Sequence, residues 1–288
     1  MGPTRAGRER QSGRARPRAR HSGVTALLDQ ECQLDPLGDG AYERECGRVW
    51  WGHRAQHGGY VLGLAMTALD MELGAEGMSV QHITMQYLRP FRDGPFRAEV
   101  TTERQGRTMA NATVKMWSGG KLAGLVLASM AHRRPIGELV SARMPDVAPY
   151  DPDEEPHSFG FGLPVHERVW FQPRIHDIDG PDPGQVGGWV LPRTPEVIDH
   201  RWGVLLADLW TPAIYHMWPV GHVAQSVDLT YHARVPLPRD DMPPGSPLLV
   251  VLTTRSSQGG FVDEDAEIWS PSGQLLALGR QARFVHGP

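Results

Sequence analysis

Residues 58–73 read GGYVLGLAMTALDMEL, an apolar stretch of about four helical turns with two glycines at its start. The segment that follows, Val80 to Leu88, has the character of a strand and ends at Arg89 and Pro90. Three more strand-like runs come next, Phe96 to Arg104, Thr108 to Trp117 and Lys121 to His132. The turn signals Gln105-Gly106 and Ser118-Gly119-Gly120 separate them. The pattern predicts one helix followed by a meander. A sheet curling around a helix of this length hides the helix's apolar surface and leaves the sheet's other face to pack elsewhere.

The same order recurs downstream. A helix candidate near Leu205 to Trp218 precedes Val223 to Ala233, which ends at Pro236. Strand-like runs at Pro247 to Arg255, Gly260 to Trp269 and Gln274 to Val285 complete the set. Trp117-Ser118-Gly119-Gly120-Lys121-Leu122 answers to Trp269-Ser270-Pro271-Ser272-Gly273-Gln274-Leu275, and Gln81-His82-Ile83 answers to Gln225-Ser226-Val227. Repetition of a supersecondary pattern indicates duplication of a folding unit. Each half also opens on a short strand-like stretch, Gly47 to Trp51 and Val165 to Phe171. The expected class is α+β, with two repeats sharing one antiparallel sheet.

The chain divides into four parts by composition: 1–22, 23–134, 135–164 and 165–288. Seven arginines against Glu9 give the first 21 residues a charge of +6, leaving −10 on the rest of a chain whose net charge is −4. That run has no apolar periodicity and is expected to be disordered. No aromatic residue interleaves with its arginines, which argues against nucleic-acid binding, and the body of the chain is acidic. The 135–164 segment carries Pro135, Pro145, Pro149, Pro152, Pro156 and Pro164 with the acidic run 151–155, the composition of a linker. A calcium loop would need a glycine and alternating ligands that this run lacks. No stretch approaches the roughly 18 apolar residues of a membrane span, and no secretion signal is evident. Two cysteines, Cys32 and Cys46, are too few for a disulfide framework in 288 residues, so a reducing cytoplasm is the expected compartment.

From about residue 24 to 286 the chain resembles the acyl-CoA thioesterase II (TesB-like) family, whose fold is the double hotdog. His57-Gly58-Gly59-Tyr60 is similar to that family's helix start, with His57 in place of the commoner asparagine. The segment His82 to Pro90 (HITMQYLRP) resembles the strand ending in Leu-Arg-Pro. Ala207-Asp208-Leu209 resembles Ser-Asp-Leu at the second helix, Ser226-Val227-Asp228 stands where the family has Thr-Ile-Asp or Thr-Leu-Asp, and Leu275 to Gln281 ends in the family's glutamine. The resemblance implies catalysis by Asp208, Ser226 and Gln281, with serine keeping the hydroxyl of the usual threonine. Thr230, four residues on, would supply that hydroxyl in another register. It further implies that the first helix faces the other half's aspartate, with the Gly58 and Gly59 amides near a thioester carbonyl. Tyr60 and Trp210 are the candidates for the acyl pocket.

These residue types suit thioester hydrolysis. A carboxylate can take a proton from water, a hydroxyl and an amide can orient that water, and helix-start amides can meet developing negative charge. No cofactor is required. In the first half, Ala128 falls opposite Gln281 and His82 opposite Ser226, so one site per chain is expected. His53 and His57 have the i, i+4 spacing of metal ligands, but no third ligand accompanies them and no metal is expected. A serine-hydrolase elbow is missing. Two rivals stay open. A hotdog hydratase or dehydratase resembling the hydratase 2 group would carry histidine five residues after its aspartate, where this chain has Ala213. A non-catalytic acyl-thioester binding scaffold would use the same residues as an ordinary cap and strand positions. The expected substrate is an acyl-CoA or an acyl carrier protein thioester. An apolar outer sheet face makes a homo-oligomer the expected assembly.

Overall fold

The computed structural model describes residues 27–74, 77–134, 140–177, 184–217 and 223–287. The arginine-rich tail, the start of the linker at 135–139 and Trp218 lie outside the described residues. The first half runs α1 (Leu27–Glu31), β1 (Asp35–Gly38), β2 (Ala41–Cys46), α2 (Gly58–Leu73), β3 (Ser79–Tyr87), β4 (Gly94–Gln105), β5 (Met109–Ser118) and β6 (Lys121–Ala131). The second runs β7 (Val169–Asp177), β8 (Gly184–Pro192), α3 (His200–Leu206), α4 (Ile214–Met217), β9 (Val223–Ser226), β10 (Asp228–Ala233), β11 (Leu248–Thr254), β12 (Ser257–Gln258), β13 (Phe261–Trp269) and β14 (Leu275–His286).

All fourteen strands among the described residues belong to one antiparallel sheet, ordered β1-β2-β4-β5-β6-β3-β10-β14-β13-β11-β8-β7, with β9 on β14 and β12 on β13. Read outward from the centre, the two halves have the same order. The duplication therefore builds a pseudo-twofold at the β3–β10 seam, where Thr84 pairs with Thr230 and His82 with His232. Strand alternation then fixes the faces. Leu229 and Tyr231 enter the main core, while the Thr84 and Thr230 hydroxyls meet at 2.8 Å on the opposite face.

The predicted helix 58–73 is α2 to the residue, and eleven of its side chains or glycines are buried, as an apolar helix wrapped by a sheet requires. It crosses α3 so closely at Gly59 that a β-carbon there would stand 2.6 Å from the Val204 carbonyl oxygen.

The second helix differs from expectation. Asp199 caps α3, its carboxylate accepting from the Arg201 and Trp202 amides at 2.8 and 3.3 Å, so the helix begins at His200 rather than Leu205. It ends at Leu206, and tight turns carry the chain through Leu209. Pro212 has no amide hydrogen and drives Thr211 out of helical geometry, so α4 is a separate single turn. The stretch 47–51 is no strand and makes only the isolated bridge Trp51–Gln56; the β1–β2 hairpin before it takes that place. In the second half the pairing starts at Val169, after a 3₁₀ turn over His166–Arg168 that follows Pro164.

The linker is packed. Met144, Val147 and Tyr150 cover the cluster of Trp189, Leu249, Val251, Trp269 and Leu275. Trp189 Nε1 donates to the Ala148 carbonyl at 2.9 Å. Leu248, Val250 and Leu252 point the other way into the main core, so β11 is buried on both faces. The second half thus covers its own outer face, whereas in the first half Leu125 and Leu127 remain exposed on β6. No helix among the described residues is long and apolar enough to cross a membrane.

Candidate active site

Three strands and one turn of the second half converge on the start of α2 from the first. Gln281 and Arg283 alternate onto one face of β14. Glu264 on β13 is the register partner of Gln281, and Ser226 on β9 is the partner of Arg283. All four therefore share one inward patch. Asp208 reaches it from the turn after α3, where the Asp208 amide bonds the Leu205 carbonyl.

Polar contacts tie the group together. Ser226 Oγ donates to Gln281 Oε1 at 3.1 Å, and Gln281 Nε2 donates to Glu264 Oε1 at 2.7 Å. Arg283 donates to Ser226 Oγ at 3.3 Å, to Glu264 Oε1 at 3.2 and 2.9 Å, and to Asp208 Oδ1 at 2.9 Å. Asp208 Oδ2 accepts from the Gly59 amide at 3.1 Å. A β-carbon on Gly58 would stand 2.7 Å from that same oxygen, so only glycine admits the carboxylate here. His57 Nε2 donates to the Asp208 backbone carbonyl at 2.9 Å, which leaves Nδ1 an acceptor with no donor among the described residues.

Three charged side chains are nearly sealed from solvent, Glu264 entirely. Burial raises the pKa of Glu264, and Arg283 only partly offsets it. Burial acts to lower that of Arg283, but the carboxylates of Glu264 and Asp208 outweigh it, so the guanidinium stays charged. Burial lowers His57 and keeps its ring neutral, against the pull of Asp208. Burial and then the charge of Asp208 push Tyr87 well above the usual phenol range.

Of the residues singled out in the sequence, Ser226 and Gln281 touch directly, and Asp208 joins them through Arg283. The Gly59 amide, expected near a substrate carbonyl, donates instead to Asp208. Thr230 bonds Thr84 on the far face of the sheet. Tyr60 stacks on Trp50 and donates to the Glu31 carbonyl at 2.8 Å, whereas Trp210 packs edge-on against Phe159 and Phe171, so the two aromatic candidates share the main core but have different ring partners. Among the described residues no group of three or more His, Cys, Asp or Glu is placed to hold a metal ion. Arg283, Glu264 and Tyr87 were not anticipated. The signal for Arg283 is period-2 parity with Gln281, and Glu264 follows from that strand's register with β13, which no single segment reveals.

Residues 48–133 match the family model described as the acyl-CoA thioesterase N-terminal domain, and residues 144–285 match its C-terminal counterpart. A search of curated protein sequences returned no match. Among solved structures, a hot dog fold protein from Alicyclobacillus acidocaldarius is 22% identical with a TM-score of 0.82, the alignment covering 92% of this chain and 100% of the other. Acyl-CoA thioesterase II TesB2 from Mycobacterium marinum is 19% identical with a TM-score of 0.72, covering 91% and 99%. The tesB protein of Mycobacterium avium subspecies paratuberculosis is 16% identical with a TM-score of 0.71, covering 90% and 98%.

Proposed function

Because the chain belongs to the TesB-like acyl-CoA thioesterases and hydrolyses acyl thioesters, we propose that Asp208 deprotonates the attacking water while Ser226 and Gln281 orient it. One observation carries this assignment: a buried carboxylate from the second half stands against the glycine-opened start of a helix from the first, within the polar group that contains Ser226 and Gln281.

The water oxygen bonds to the carbonyl carbon as its proton passes to Asp208, and the carbonyl π pair moves onto oxygen. That oxygen lies toward the positive end of α2, on the Gly58 side, since the Gly59 amide already donates to Asp208. Collapse restores the carbonyl and breaks the carbon–sulfur bond. The electron pair leaves on sulfur, which takes the proton back from Asp208, so acid and thiol are released without a covalent enzyme intermediate. Arg283 holds the carboxylate in place, and the fixed network limits the water to one direction of approach.

The acyl chain is assigned to the side of Trp210, two residues after Asp208 and walled by Phe159 and Phe171. Tyr60 turns away from it toward Glu31. We assign the protein to a reducing compartment, consistent with its two buried free cysteines, and to a homo-oligomer joined through the first half's exposed Leu125 and Leu127. Light scattering that returned the 31.9 kDa monomer mass would refute the assembly.

The decisive measurement is thiol release from a panel of acyl-CoAs by the Asp208→Asn protein. Turnover is expected to fall about 10²-fold or more with the fold retained. Undiminished turnover of every accepted thioester removes Asp208 from the mechanism.

A further inference from the structure

Three buried polar atoms whose surroundings include the charge of Asp208 have no hydrogen-bond partner among the described residues: Tyr87 Oη, His57 Nδ1 and Glu264 Oε2. A buried polar group left unpaired costs free energy, so such an atom in an enzyme site points to a partner that arrives with the substrate. Their chemistry differs. Glu264 Oε2 is an acceptor when ionised, and His57 Nδ1 is an acceptor because Nε2 has already donated its hydrogen to the Asp208 carbonyl. Tyr87 alone of the three carries a hydrogen with nowhere to go.

Its position is fixed. Tyr87 is the last residue of β3, on the inward side with Ile83 and Met85, and its amide donates to the Val227 carbonyl at 2.9 Å across the seam between the halves. The ring packs against the main core. The hydroxyl looks at Asp208 across the space that a side chain on Gly58 would fill: a β-carbon there would lie 3.0 Å from Tyr87 Oη and 2.7 Å from Asp208 Oδ2. Meanwhile the Gly59 amide, one of the two donors the helix start offers a carbonyl oxygen, is occupied by the carboxylate. The site needs another donor, and the phenol supplies one opposite the base.

We propose that Tyr87 is a catalytic residue whose hydroxyl donates a hydrogen bond to the thioester carbonyl oxygen and strengthens that bond as the oxygen becomes negative. The claim rests on Asp208 as the base. No proton is transferred: burial and the neighbouring carboxylate hold the phenol in its protonated form, so it remains a donor throughout the cycle. Glycine at 58 is then required on both sides, to admit the carboxylate and to leave the carbonyl room beneath the phenol.

Tyr87→Phe removes the oxygen alone. Because the hydroxyl makes no hydrogen bond among the described residues, the variant is expected to keep or raise the melting temperature while kcat falls about 10²-fold, with KM little changed. The carbonyl stretch of an acyl thioester bound to the Asp208→Asn protein should move to higher wavenumber when Tyr87→Phe is added. A Tyr87→Phe enzyme with kcat within twofold of the parent overturns the proposal. So does one that loses kcat only together with its fold, since that outcome reveals a structural hydroxyl. If Asp208→Asn is inactive and Tyr87→Phe is active, the base stands and the tyrosine falls; if Asp208→Asn is active, the base assignment fails, and kcat for Tyr87→Phe still judges the donor.

Discussion

Nη2 of Arg283 stands 2.9 Å from Oδ1 of Asp208, and the same nitrogen is 2.9 Å from Oε1 of Glu264. One cation thus separates two carboxylates in a region nearly sealed from bulk solvent. Removing one member of such a group is far costlier than the net worth of the group itself, because the remaining charges keep their desolvation penalty. Arg283→Met is expected to lose about 3–5 kcal/mol at neutral pH. The sign of its pH dependence follows from Glu264, already raised by burial and now without its counter-ion. A carboxyl whose folded pKa exceeds its unfolded value binds more protons when folded, so the deficit shrinks on acidification and is full above the raised pKa. Urea midpoints at pH 5 and pH 7.5 check both size and sign.

Gly59 and Gly63 lie one helical turn apart on α2 but meet different neighbours. A β-carbon at Gly59 would press on the Val204 carbonyl oxygen at 2.6 Å and Leu205 Cα at 2.8 Å, whereas at Gly63 the nearest atoms are at 3.8 Å. Gly59→Ala should therefore cost about 1–3 kcal/mol or more through forced separation of α2 and α3. Gly63→Ala should add about 0.5–1 kcal/mol through helix propensity. Thermal unfolding of the two variants gives opposite shifts.

The two candidate hydroxyls lie on opposite faces of the sheet. Ser226 bonds Gln281 and Arg283 in the site, and Thr230 bonds Thr84 on the other face of the sheet. Ser226→Ala is expected to lower kcat about tenfold or more. Thr230→Val should leave kcat unchanged and cost about 1 kcal/mol of stability. Steady-state kinetics in which Thr230→Val lost activity instead would assign the hydroxyl to the other register.

Acid should unfold the protein through two histidines. Burial, with a smaller contribution from His57, lowers His166 to about 4, and burial lowers His200 to about 4 against the charge of Asp199. In the unfolded chain both titrate near the ordinary value of about 6.5. Between those pH values the unfolded state binds more protons, so stability is full above about 6.5 and declines as pH falls toward 4. Each group contributes a slope of about 1.4 kcal/mol per pH unit within that window. His166→Gln should remove one of the two contributions, measurable from denaturant midpoints at pH 6 and 5.

Local pattern accounts for what was legible beforehand. The segment Gly58 to Leu73 is one uninterrupted apolar helix, and the turn glycines at 119 and 120 take left-handed backbone angles that mark hairpins in any context. β8 escaped notice because Gly187 and Gly188 carry the composition of a loop. At these two positions the neighbouring backbone comes too close for a side chain, a β-carbon at Gly187 meeting the Val250 carbonyl oxygen and one at Gly188 the Gln172 carbonyl oxygen. The proline-rich linker shows the converse. Its composition is that of a spacer, yet Met144, Val147 and Tyr150 supply the outer layer of the second half's sheet.

Short-range periodicity and hairpin turns already carry the duplicated plan and the buried helix, and a resemblance to a thioesterase pattern singles out three polar residues as candidates. It takes the packed chain to join Arg283 and Glu264 to those residues, to spend the Gly59 amide on Asp208, and to set the Tyr87 hydroxyl near the carboxylate beside Gly58. These relationships join positions far apart in the chain, 149 residues between Gly59 and Asp208. They depend on strand register and on how closely two helices approach, and both are set by packing over the whole sheet rather than by any single segment.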